Sequence, residues 1–154
     1  MGLNGRNTLL FPIYTYKVVT VYFFGSFEYV SDSRGRVSIP PRYRSAFLKG
    51  VVIKESPDTC LELYTIEGFE EETSKRLGDH ASNRKKEGRQ VRRNFLAGAF
   101  EIDLDSQGRI LIPPKFREYL GNEKNITIVG CGDYIEIWPS SNWNNEKLIN
   151  KKDE

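Results

Sequence analysis

Histidine occurs once in the 154 residues, as His80, and cysteine twice, as Cys60 and Cys131. No spacing among these three forms the clusters that hold zinc and related metals, so the sequence offers no basis for a metal centre. Catalytic signatures are also missing: there is no nucleophile elbow, and no glycine-rich phosphate loop leads into a helix. Acid–base chemistry would have to rest on carboxylates. The two that recur in the repeated turn, Asp32 and Asp105, each have an arginine four positions later that favours the ionised form. No enzymatic activity and no cofactor are expected. Two thiols with no framework pattern suit a reducing, cytoplasmic compartment. Net charge is small, only +2, so any polyanion partner must be met by local clusters and not by the overall field.

A clean membrane span is lacking too. The apolar stretch LLFPIYTYKVVTVYFFG, from Leu9 to Gly25, is broken by Pro12 and Lys17. It falls short of the roughly 20 apolar residues that cross a bilayer, and no small-residue cleavage site follows it. Its Thr, Val, Tyr and Phe content suits an extra strand or a loose extension, against the competing reading of a targeting segment. No membrane partner is expected.

What the chain does have is a repeated phrase. DSRGRVSIPPRYR runs from Asp32 to Arg44, and DSQGRILIPPKFR from Asp105 to Arg117, about 73 residues later. That period is too long for a short-unit solenoid and indicates two copies of one small module. In each copy an aromatic, β-branched strand (FFGSFEYV, FEIDL) leads into a turn. Asp32 and Asp105 can bond backbone two residues on, and Gly35 and Gly108 can take positive φ. A return strand follows (RVSI, RILI), with Val37 and Ile39 on one side and Arg36 and Ser38 on the other. Pro-Pro then opens a short helix that closes on Gly50 or Gly121. Tyr43, Phe47 and either Ala46 or Leu48 are expected to face inward. Two further strands end each copy, with Leu61-Glu62-Leu63-Tyr64 matching Ile135-Glu136-Ile137-Trp138.

Helical material separates the copies. Phe69, Thr73 and Leu77 form one stripe. A second, arginine-rich helix has Val91, Phe95 and Leu96 as its expected inner face and is weakened by Gly88. The run from Arg84 to Arg93 is read as a solvated face, with polyanion contact as the alternative. The polar tail NNEKLINKKDE is expected to fray. The expected segments are an extension at 1–22, a first module at 23–69, a helical spacer at 70–98, a second module at 99–143 and a tail at 144–154.

The doubled Asp-x-x-Gly-Arg has two readings. In one it is a salt-bridged turn that fixes register, an interaction that contributes only ~0–1 kcal/mol at a surface. In the other, the carboxylate orients a guanidinium whose remaining donors face phosphate or a guanine edge. The basic pairs at the helix starts, Arg42 with Arg44 and Lys115 with Arg117, bear on this. They oppose the helix macrodipole by ~0.3–1 kcal/mol, so an anion there would compensate.

This motif, followed by a return strand, Pro-Pro and a basic helix, and duplicated around two helices, resembles the MraZ family of bacterial regulators. That family is associated with the division and cell-wall gene cluster and belongs to the AbrB-like (SpoVT-AbrB) superfamily. The resemblance spans about Phe23 to Trp143. It implies an α+β fold of two tandem AbrB-like, swapped-hairpin β-hairpin–helix–β modules joined by two helices and related by a pseudo-twofold axis. It also implies a nucleoid-associated transcriptional regulator that binds double-stranded DNA and assembles as a ring-like homo-oligomer. Carried onto this chain, the DNA-binding residues are Arg34, Arg36, Arg42, Arg44, Arg109, Lys115 and Arg117, with Asp32, Gly35, Asp105 and Gly108 shaping the turns. The family's lysine before glycine is Arg34 in the first copy but Gln107 in the second, which makes the first turn electrostatically stronger. An interaction module or antitoxin-type scaffold, with the doubled turns serving assembly only, is the competing reading.

Overall fold

A computed structural model describes residues 22–78 and 81–152; His80 and most of the apolar N-terminal stretch lie outside them. The first copy supplies β1 (Ser26–Val30), β2 (Arg36–Ser38), the single-turn helix α1 (Pro41–Arg44) continued by a 3₁₀ turn at Ser45–Phe47, β3 (Val51–Glu55) and β4 (Leu61–Thr65). Helices α2 (Ile66–Leu77) and α3 (Lys86–Leu96) follow. The second copy supplies β5 (Phe100–Ile102), β6 (Arg109–Leu111), α4 (Pro114–Tyr119), β7 (Asn125–Gly130), β8 (Ile135–Pro139) and α5 (Ser140–Lys152).

Neither copy is self-contained. Six strands form one antiparallel sheet in the order β1-β7-β8-β4-β3-β5, and β2 pairs with β6 in a separate two-stranded ribbon. The six-strand order is unchanged from either edge once the copies are exchanged, with the β4–β8 pair at the centre. Each copy therefore lends its first strand to the other, where β1 runs beside β7 and β5 beside β3. The expected local strand–turn–strand thus turns as foreseen but does not ladder on itself. Burial gives the reason. Pairing β2 with β6 sets Val37 opposite Ile110, both fully buried, whereas a three-residue strand at a sheet edge would leave Val37 half wet.

Alternation gives the sheet two different faces. Val51, Ile53, Leu61, Leu63, Ile126, Ile128, Ile135 and Ile137 form the core face, closed over by the ribbon and by Phe47 and Phe116 from the short helices. The opposite face carries Glu62 directly across from Glu136. Tyr64 donates its hydroxyl to Glu62 (3.2 Å), Trp138 Nε1 donates to Glu136 (3.0 Å), and Lys54 Nζ lies 3.6 Å from Glu62. Helix α2 packs on β3 and β4, and its Phe69 stacks on Phe95 of α3 at 5.4 Å.

Of the two alternatives for the inward place on the short helix, Ala46 takes it and Leu48 is 78% exposed. Two expectations need correction. Val91 and Leu96 are exposed, and Phe95 and Gly88 make the inner contacts of α3. Gly88 is needed there, since a Cβ would run into the Ser82 backbone. The tail is a helix to Lys152. It follows β8 as α2 follows β4, and it is anchored where Glu123 accepts from the Ser141 hydroxyl (2.7 Å) and Trp138 meets Trp143.

Candidate nucleic-acid interface

The two turns are built identically. Asp32 Oδ1 accepts the backbone N–H groups of Arg34 and Arg36, both at 2.9 Å, and Oδ2 accepts Arg36 Nε at 2.5 Å. Asp105 Oδ1 takes those of Gln107 (2.8 Å) and Arg109 (2.9 Å), with Arg109 Nε on Oδ2 at 2.9 Å. The Arg36 N–H bond is the largest cause that lowers Asp32 from 3.8 to about 2, and the corresponding Arg109 N–H bond lowers Asp105. Both carboxylates are thus ionised across physiological pH and brace their arginines in place. Gly35 (φ +84°) and Gly108 (φ +74°) occupy the left-handed region that the turn demands.

Each turn is also held by the other copy. Ile112 N–H donates to Gly35 carbonyl (3.1 Å), and Ile39 N–H donates to Gly108 carbonyl (2.9 Å). Arg117 lies over Gly35, where a Cβ would sit 2.5 Å from its Cδ, and donates Nη1 to Arg34 carbonyl at 3.1 Å. Arg44 lies in the same way over Gly108, closer still, with its Nε donating to Ile39 carbonyl at 2.9 Å. The glycines therefore do two jobs: Arg117 clamps the first turn across the copy boundary by a hydrogen bond, whereas Arg44 covers Gly108 of the other copy while bonding within its own.

The inner row of the ribbon is Val37 and Ile110, so the outer row is Arg36, Ser38, Arg109 and Leu111. Arg36 and Arg109 share that row, with side chains 31% and 25% exposed. They border one open depression of about 680 Å³ together with Arg34, Arg117, Asp103, Asp105, Leu111 and Pro114. Arg34 is exposed at the first turn's tip, where Gln107 stands in the second. Arg42 and Lys115 are exposed at the helix starts, Arg42 over the Phe24 ring (5.3 Å) and Lys115 over Phe100 (3.8 Å). In helices this short the macrodipole does not set these basic residues against a positive end alone. With four residues in α1 and six in α4, Arg44 and Arg117 belong to the last turn as much as the first.

Three features were missed from sequence. The arginine clamp joins residues that no local pattern connects. Asp103 adds an anion to the same depression. Leu111 shares the arginine row, which strict alternation from Arg109 would have revealed.

A mixed α+β chain of two strand-exchanging repeats, each with an acid-braced arginine turn feeding a common outward ribbon, defines the class. The chain belongs to the MraZ family. The family model described as "MraZ protein, putative antitoxin-like" matches residues 22–94 and 95–152, so the two repeats divide within α3 and each carries its own helical segment. A protein named Transcriptional regulator MraZ from Mycoplasmoides gallisepticum (strain R(low / passage 15 / clone 2)) is 38% identical over 116 residues, 75% of this chain and 80% of that protein. One of the same name from Thermomicrobium roseum is 37% identical over 121 residues, 79% and 84% of the two chains. Another, from Acetivibrio thermocellus, is 36% identical over 121 residues, 79% and 83%.

Proposed function

We propose that this protein is a DNA-binding transcriptional regulator whose recognition surface is the β2–β6 ribbon with its two flanking turns. The observation that carries the reading is the placement of Arg36 and Arg109 on one outward row, each fixed by its own carboxylate with further guanidinium donors left over. A two-stranded ribbon is a shape the major groove admits, and paired donors of arginine match the guanine edge. Arg34 at the first turn's tip, with Arg42 and Lys115 at the helix starts, would supply phosphate contacts that set register and add affinity. Arg117 holds the first turn and faces the depression, and Arg44 packs over Gly108 of the second.

One ribbon offers few contacts. Assembly of several chains into a ring-like homo-oligomer would engage repeated promoter sites of a division and cell-wall gene cluster through effective concentration. The protein would then act in the cytoplasm at the nucleoid; among the described residues no helix is long and apolar enough to cross a membrane.

The test is an electrophoretic shift of the full chain on the DNA upstream of its own gene at two salt concentrations. Specific binding should weaken with salt by a log–log slope of about 0.9 per phosphate neutralised. Arg42→Ala and Lys115→Ala should each lower that slope by roughly one. A flat salt response, or no shift together with a tightly co-purifying protein partner, would replace this reading with the interaction-module one.

A further inference from the structure

Exchanging the two copies maps Arg36 onto Arg109 but Ser38 onto Leu111. The outer row of the ribbon is therefore symmetric in its arginines and asymmetric in what accompanies them. Arg36 stands opposite Leu111, and Arg109 stands opposite Ser38. Opposite residues in an antiparallel pair have Cβ atoms ~4.5–5.5 Å apart on one face, so each arginine has one fixed neighbour.

Leu111 is 53% exposed, and packing does not account for it, because Ile110 and Ile112 on either side fill the core at 0% and 2% exposure. It stands instead in the depression lined by Arg34, Arg36, Arg109 and Arg117. A second copy of the same face is a poor occupant for that place, since it would bring these four cations against themselves with three carboxylates, Asp32 on Arg36 and Asp103 and Asp105 in the depression, to offset them. A polyanion with an apolar feature beside its hydrogen-bonding edges suits both the charge and the leucine. Duplex DNA has such a feature in the C5-methyl of thymine, displayed in the major groove next to guanine O6 and N7.

We propose that Leu111 is a specificity-determining residue, contacting a thymine methyl beside the base pair addressed by Arg36, and that the Arg109–Ser38 half has no such preference. Each ribbon then prefers a non-palindromic site even though its arginines are related by the copy exchange. This inference rests on the DNA-binding reading above, and it adds which base feature is read and by which half.

The experiment begins with duplexes selected from a random-sequence pool by the full-length wild-type chain. Each thymine in the selected site is then replaced singly by uracil, which removes only the methyl group. Burying one such carbon contributes ~0.8 kcal/mol, so one thymine position should lose about fourfold in affinity. Leu111→Ser should bind the thymine and uracil duplexes equally. Ser38→Leu, which gives both arginines a leucine neighbour, should acquire a second methyl-sensitive position. Leu111 is exposed, and thermal melting would verify that both variants fold. Binding of selected duplexes with no uracil-sensitive position, or sensitivity that survives Leu111→Ser, overturns the role of Leu111 and leaves DNA binding intact. Failure to select any duplex removes the DNA-binding reading and this inference together.

Discussion

Replacing Gly35 with alanine tests the cross-copy clamp in a way that separates it from ordinary turn strain. Alanine at φ +84° costs ~1–2 kcal/mol for the left-handed backbone alone. The new Cβ would also displace Arg117, whose Cδ and Nη1 would lie 2.5 and 2.6 Å away. An arginine end is flexible, so it would swing aside without forcing the backbone, and what is lost is its Nη1 hydrogen bond to Arg34 carbonyl. A hydrogen bond to a charged donor contributes ~1.5–3 kcal/mol, discounted to about 1 here because the group is partly exposed. Gly35→Ala should thus cost about 2–3 kcal/mol in the wild-type background and about 1–2 in Arg117→Ala, where no clamp remains to be displaced. A double-mutant cycle by urea denaturation should therefore give a coupling of about 1 kcal/mol between Gly35 and Arg117, which lie in different copies. Gly35→Ala with Arg44→Ala should be additive, since Arg44 sits over Gly108. Additivity of Gly35 with Arg117, or coupling of Gly35 to Arg44, would refute the clamp.

Three further outcomes follow from the same geometry. Asp32 is lowered in the folded chain from 3.8 to about 2, so the stability it adds over Asp32→Asn is present above 3.8 and disappears as the pH falls to about 2. Denaturation midpoints of the two proteins should converge on acidification; a gap that widens toward pH 2 would contradict the brace. Burial pushes the Cys60 thiol up and Cys131 to about 12, so about one part in ten thousand of Cys131 is thiolate at pH 8. Both should react with a thiol-directed reagent only after denaturant is added, and rapid modification of the native chain would count against their environment. Phe116 is fully buried in the core, and Phe116→Ala should lower stability by about 3–5 kcal/mol in calorimetry. A loss under 1 kcal/mol would place the core elsewhere.

Local chemistry was legible in the sequence. Asp-x-x-Gly-Arg states its own turn, since an acid that can accept two N–H groups and a glycine free to take positive φ leave few alternatives. The alternation of Val37 with Ser38 foretold which side β2 would bury; that of Leu61 with Glu62 separated the two faces of β4, although both of them are buried. The choice of strand partner was not legible. Nothing in SFEYV distinguishes the edge of β7 from the neighbouring β2, and only the joint burial of Val37 with Ile110 favours exchange. The clamps escaped for the same reason. Arg44 and Arg117 look like free basic residues because the glycine each covers lies in the other copy. The tail looked too polar to hold a helix, yet the repeat itself implied one: a helix follows β4 in the first copy, so one should follow β8 in the second.

DNA recognition by the outward arginine row is tested most directly by the affinity of Arg36→Ala/Arg109→Ala for selected duplex DNA. With thermal melting showing the fold retained, removal of two arginine contacts worth ~1–3 kcal/mol each should weaken specific binding by about thirtyfold or more. Binding equal to the wild type would contradict it.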